Sequence, residues 1–284
     1  MSLNDILTLL TAVTIGLSCA ILGCFLVLRK MVMVGDAISH SVLPGIVIAY
    51  LIGSNFNSSL MLIGAAIFGV ITTMLIDFFH KKLKLQEDAS IGITFTWLFA
   101  LGVIIISLFT ESNTDLDQEC VLFGELSSSF LDKIILNGYL VGTRSFWLIF
   151  PVLISILVFV IFGYKGLQLI SFNSEYASSK GINVGLWNLV FMSMVSITTV
   201  MSFESVGAVL VIGLLVIPPS TAYLVSKKLK KMIFLSCLFV ILAIIIGFYL
   251  SIYFDVSMSS MIIVTSGCIY FVSLSFKSLI FKRN

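Results

Sequence analysis

Charge is what this chain has least of: Asp, Glu, Lys and Arg make up 11% of its 284 residues, against roughly 25% in soluble domains. With 59% hydrophobic residues and a mean hydropathy of +1.17, it cannot present a solvated surface and is an integral membrane protein. It has no polar segment long enough to enclose a core of its own, which excludes a separate soluble domain. It shows no sustained apolar–polar alternation, which excludes a lipid-facing barrel. A phosphate-cradling GxxxxGK[ST] loop is missing, as are HExxH and GxSxG, and histidine occurs only twice; a hydrolase site is not expected. Energy for any uphill movement must come from a partner or from ions. Cysteine occurs five times, without disulfide or thiolate–zinc spacing. Cys19, Cys24, Cys237 and Cys268 fall in apolar runs and are expected to pack as small hydrophobes. Cys19 and Cys24 are five apart, so on a helix their thiols diverge.

What the chain does have is apolar runs of about 20 residues, the length of one bilayer crossing. The first carries no basic leader and is too long for the core of a secretory signal, so it is expected to be a retained span. Spans are predicted near 5–28, 32–53, 59–79, 89–110, 145–164, 184–203, 206–226, 232–254 and 259–276, giving nine crossings. Arg29/Lys30, Lys81/Lys82/Lys84, Lys165 and Lys180, the lysines at 227–231 and the C-terminal basic residues then share one side, leaving Lys133 and Arg144 on the other. The positive-inside rule makes that side cytoplasmic, with the N-terminus outside and the C-terminus inside. Glu111, Asp115, Asp117, Glu119 and Glu125 lie in the long outer connection 111–144, whose second half is compatible with a partly inserted helix.

The inner connection 165–183 is too polar to span. Ser174 is expected to cap a short helix starting at Glu175, an acid suited to the positive helix end. Gly181 is expected to close it in the left-handed conformation. Such a helix suits contact with a soluble partner; an ordinary amphipathic connector would look the same.

Asp36 and His40 interrupt the second apolar run. On a helix, positions i and i+4 lie one above the other, and a carboxylate beside an imidazole makes half a site for a divalent transition metal. An Asp at the bilayer centre costs on the order of 3 kcal/mol on insertion scales, so such residues face the bundle interior and mark functional paths. Pro44 has no N–H for the carbonyl of His40, four residues earlier, and Pro218 and Pro219 likewise release the carbonyls of Leu214 and Leu215. All three are candidate hinges, and Gly35 and Gly45 allow a neighbouring helix close. The alternative is a structural pairing of Asp36 with His40, Arg29 or Lys30. Asp77 and His80 also share a helix face, but beside "KKLKL" they are expected to form a solvated or salt-bridged helix end. Glu204, between two spans near the outer boundary, is a minor third candidate for the cation.

The segment "LRKMVMVGDAISHSVLPGIVIAY" resembles the signature near the start of the permease subunits of bacterial manganese, zinc and iron ABC importers, the ABC-3 family. "EDASIGITFTWLFALGVIIIS", "FNSEYASSKGINV" and "VGAVLVIGLLVIPPSTAYLVS" fit the same family in order, so that the resemblance spans roughly residues 10 to 275. "DLDQECVLFGELSS" is longer than the family's usual outer segment, and Pro219 and Ser220 stand where many relatives carry alanine.

The resemblance implies an all-α, polytopic transmembrane bundle like that of a type II ABC importer, forming one permease domain over 1–284. It implies a cytoplasmic ATP-binding subunit, an extracytoplasmic metal-binding protein and a second permease chain, in a bacterial cytoplasmic membrane. It places Asp36 and His40 in the path of manganese, zinc or ferrous iron. It makes the segment at about 171–185, with Glu175, Ala177 and Gly181, the coupling helix that meets the ATPase. ATP would be used by the partner, and no covalently bound cofactor is expected. A permease for a siderophore, haem or cobalamin, a proton-coupled carrier and an intramembrane enzyme are the competing readings.

Overall fold

The computed structural model describes residues 3–53, 58–109, 133–136 and 139–281. Eleven helices and one hairpin occur among them: α1 Leu3–Leu28, α2 Val34–Ser41, α3 Leu43–Gly53, α4 Ser58–Lys82, α5 Glu87–Phe109, β1 Lys133–Leu136, β2 Tyr139–Thr143, α6 Arg144–Phe172, α7 Ser174–Ser179, α8 Val184–Val206, α9 Ala208–Val225, α10 Leu229–Phe254 and α11 Met258–Phe281. Nine stretches of these helices are long and apolar enough to cross a membrane, in the order expected, with α2 and α3 together making the second.

Helices are the form a lipid-embedded backbone requires, because each peptide group then finds its partner within the segment. Hydroxyls inside the spans follow the same rule: Thr11, Thr14 and Ser18 bond back to carbonyls of the preceding turn of α1. The first helix is the most buried span and α11 the most exposed. Around α1 pack α6, α9 and α10, with α11 on α9 and α10, while α2 to α5 form a second group joined through α8. Helix α6 is capped by Thr143, whose Oγ1 accepts from the Phe146 N–H at 3.3 Å and shares a 3.0 Å hydrogen bond with Thr11 Oγ1.

Several boundaries differ from the sequence expectation, each for a physical reason. The second span is two helices parted at Val42. Helix α6 runs eight residues past the expected end, to Phe172, because Lys165 is exposed and a lysine stem reaches outward without breaking a helix. The cap of α7 is Asn173, whose Oδ1 accepts from the Tyr176 N–H at 2.9 Å, and Ser174 is the first helical residue instead. Of the connection 111–144, residues 133–136 and 139–143 form an antiparallel hairpin; residues 111–132, which hold its acids, lie outside the described residues. Cys19 and Cys24 are buried in separate apolar clusters, as their spacing predicts, but Cys268 is exposed on α11.

Candidate functional site

Helix α2 is eight residues long and buries Val34, Gly35, Ala37, Ile38, Ser39 and Ser41. That leaves Asp36 and His40 on its remaining face, an acid in the first turn and a histidine in the last, where the helix ends favour each sign. The helix stops because Pro44 offers no N–H to the His40 carbonyl. Val42 closes it by donating to Ile38 O at 3.2 Å, and α3 then starts with Pro44 in its first turn, where a missing donor costs nothing. Gly45 lies so close to the backbone of Gly64 that α3 and α4 meet with no side chain between them. Gly35 has only ordinary contact with Leu215.

His40 Nε2 stands 3.8 Å from Asp36 Oδ1, beyond hydrogen-bonding distance. The two side chains are 42% and 44% exposed, and this is their only approach to a charged or hydrogen-bonding side chain among the described residues. Both thus keep donor atoms to spare. Neither Arg29 nor Lys30 pairs with Asp36. Ring centroids of Phe95 and Phe99, one turn apart on α5, lie 6.0 and 6.1 Å from that of His40 and wall it on one side. Ser41 Oγ shares a 2.7 Å hydrogen bond with Thr72 Oγ1, which fixes the end of α2 to α4. No group of three or more His, Cys, Asp or Glu able to hold a metal occurs among the described residues. Glu204 is exposed near the far end of α8 and does not join the pair.

Pro218 and Pro219 lie inside an unbroken α9, unlike Pro44 at a break. The carbonyl of Leu215, deprived of its donor by Pro219, is met by Gly23 of α1. The freed carbonyl is therefore covered by a neighbour.

At the basic end of the bundle, α7 closes through Gly181 (φ +80°): Gly181 N–H donates to Ser178 O at 2.9 Å and Ile182 N–H to Ala177 O at 3.2 Å. Glu175 and Gly181 are exposed, whereas Ala177 is fully buried and seats the helix on α6 and α8. Beside α7 opens a cleft of about 620 Å³, lined among others by Arg29, Asp77, His80, Glu87 and Glu175. His80 behaves as the expected helix end: Nε2 is 3.8 Å from Glu87 Oε1, and Nδ1 donates to Leu85 O at 3.0 Å.

Sequence reasoning missed Arg29. Its Nε donates to Ser171 Oγ at 3.1 Å, its Nη1 to Asn188 Oδ1 at 2.9 Å, and its guanidinium lies 4.3 Å over the Phe191 ring. Burial lowers its pKa to about 10, with Asp77 acting in the opposite sense, so it stays charged at neutral pH. The one available signal was residue type: arginine occurs three times in the chain, and Arg29 stands where the other spans that end on the basic side carry lysine.

The chain matches the ABC 3 transport family over residues 6–277. It is 40% identical over 260 residues to the manganese transport system membrane protein MntD of Bacillus subtilis (strain 168), covering 92% of this chain and 88% of that one. It is 35% identical over 261 residues to the zinc transport system membrane protein TroD of Treponema pallidum (strain Nichols), covering 92% and 71%. Its fold superposes on a solved structure of PsaBC from Streptococcus pneumoniae in complex with Fab, with a TM-score of 0.73, 30% identity, and coverage of 94% and 89%. These relatives are membrane components of transport systems rather than enzymes, and the chain belongs to the ABC 3 transport family.

Proposed function

We propose that this chain is the permease subunit of an ATP-driven importer that carries a divalent transition metal ion, manganese, zinc or ferrous iron, across a bacterial cytoplasmic membrane. The observation that carries this reading is Asp36 with His40: an acid and an imidazole on one helix face of a membrane span, half uncovered and with donor atoms unused. Lipid is a costly neighbour for such a pair, and a second copy of the chain set against α2 removes that cost. Two copies then offer two carboxylates and two imidazoles, a donor set that suits zinc and, with water, manganese or ferrous iron.

The whole of 1–284 acts as one permease unit, with the N-terminus outside and α7 and the C-terminus in the cytoplasm. Exposed Glu175 presents α7 to a separate ATP-hydrolysing subunit, while Gly181 shapes its end and Ala177 anchors it. An extracytoplasmic metal-binding protein delivers the ion and supplies the selectivity, because nitrogen and oxygen donors alone favour zinc over manganese. Release follows when the two pairs separate, and the break before Pro44 is where α2 turns against α3. A transit site has to bind weakly enough to let go, and a carboxylate and an imidazole held 3.8 Å apart meet that need better than a closed cage.

The test is accumulation of manganese, zinc and iron, measured together in cells with and without the chain. ATP-dependent gain of at least one of the three metals is expected. Equal accumulation of all three in both strains overturns the reading.

A further inference from the structure

One side chain joins the turn before α2 to the two helices that flank α7, α6 and α8. Ser171 lies in the last turn of α6, two residues before Asn173, the cap of α7, and Asn188 lies in the second turn of α8, the helix that follows α7. Arg29 holds both, by Nε and Nη1. It is clamped from above by Phe191, which packs edge-on against Phe25 of α1 at 6.0 Å. Its Nη2 is buried with no hydrogen-bond partner among the described residues, so the guanidinium is fixed by two directed bonds and one ring.

The chain between Arg29 and α2 is stiff. Lys30 sits at φ 61°, Lys30 N–H donates to Val27 O at 3.2 Å and Met31 N–H to Leu26 O at 3.1 Å, which locks the end of α1. Val34 N–H then donates to Met31 O at 3.4 Å, and Ala37 N–H, one residue past Asp36, to Met33 O at 3.0 Å. A bonded path thus runs from both flanks of α7 through Arg29 to the turn that carries Asp36, although α7 itself packs chiefly on α6 and α8. Lysine, a point charge on a flexible stem, cannot hold two oxygens in a fixed fork as arginine does.

We propose that Arg29 is a positioning residue that makes the flanks of α7 and the start of α2 move as one piece, so that a displacement of α7 is delivered to Asp36 and His40. This rests on the permease reading above. Coupling of this kind is a free energy between two sites carried by a physical network.

The test uses the chain assembled with its ATPase subunit in lipid vesicles, supplied with its extracytoplasmic binding protein. ATP hydrolysis and uptake of manganese(II), with zinc(II) and iron(II) as further probes, are measured on the same vesicles. In Arg29→Met, assembly and ATP hydrolysis are expected to stay within about twofold while metal moved per ATP falls about tenfold. Arg29→Lys and Asn188→Leu, which each keep part of the link, are expected to fall in between. Asn188→Leu also serves if Arg29→Met does not assemble. An unchanged metal-to-ATP ratio in these variants overturns the proposal, and so does an equal fall of hydrolysis and uptake, which would mean that Arg29 only holds the fold. If the unsubstituted complex moves none of manganese(II), zinc(II) and iron(II), the permease reading itself falls and takes this one with it.

Discussion

Two acid–histidine pairs in this chain have the same separation and different surroundings. Asp36 with His40 and Glu87 with His80 each stand 3.8 Å apart, carboxylate oxygen to ring nitrogen, and their exposures are similar. His80 has its second ring nitrogen committed to the Leu85 carbonyl and sits at the basic end of α4, beside a cleft. His40 has no such commitment and is flanked by the rings of Phe95 and Phe99. Residue types and distance alone therefore do not tell the two pairs apart. What separates the pairs is whether the second nitrogen is already used and which side chains wall the ring.

The comparison is open to breakage, beginning with its strongest claim. Asp36→Ala and His40→Ala are each expected to lower metal uptake at least about a hundredfold, more than the loss of an outer-shell partner usually costs, with the complex still assembling; wild-type uptake in either variant ends the distinction. Pro44→Ala restores a donor for the His40 carbonyl and lets α2 and α3 fuse. It is expected to slow uptake about tenfold at unchanged assembly, and transport kinetics with circular dichroism would show whether the break is needed. Phe99→Ala removes one wall of His40 and is expected to change metal affinity about two- to tenfold, the range of a ring–ring contact, read by uptake titration. His80→Ala is expected to leave uptake within about twofold, because an exposed ion pair contributes about 0–1 kcal/mol. A loss there as large as that of His40→Ala would make the two pairs functional equals.

The spans were legible because each is a long apolar run, and a span's length is set by the bilayer rather than by its neighbours. The pairing of Asp36 with His40 was legible too, since i and i+4 on a helix depends on nothing distant. What escaped was whatever relies on partners far apart in sequence. Arg29 looked like one more basic end residue, yet its bonds go to Ser171 and Asn188, more than a hundred residues away. Ala177 carries no sign of being buried, because a six-residue helix shows too little periodicity to assign a face. The strands at 133–136 and 139–143 went unseen since strands that pair only with each other leave a short and ambiguous pattern. The continuation of α6 past Lys165 was hidden by a charge that the helix carries outward without ending.

The glycines that let helices touch have a bearing on how genetic data from this chain are to be interpreted. A methyl group at position 23 would strike the Leu215 carbonyl, and one at 45 or 64 would strike the opposite backbone. A random screen for lost uptake will thus return Gly23, Gly45 and Gly64 as loudly as Asp36 and His40, though none of the three has a side chain to offer a metal. Essentiality in such a screen maps contact between helices as much as chemistry. Only variants sorted by surface abundance and assembly will separate the residues that hold the bundle from those that hold the ion.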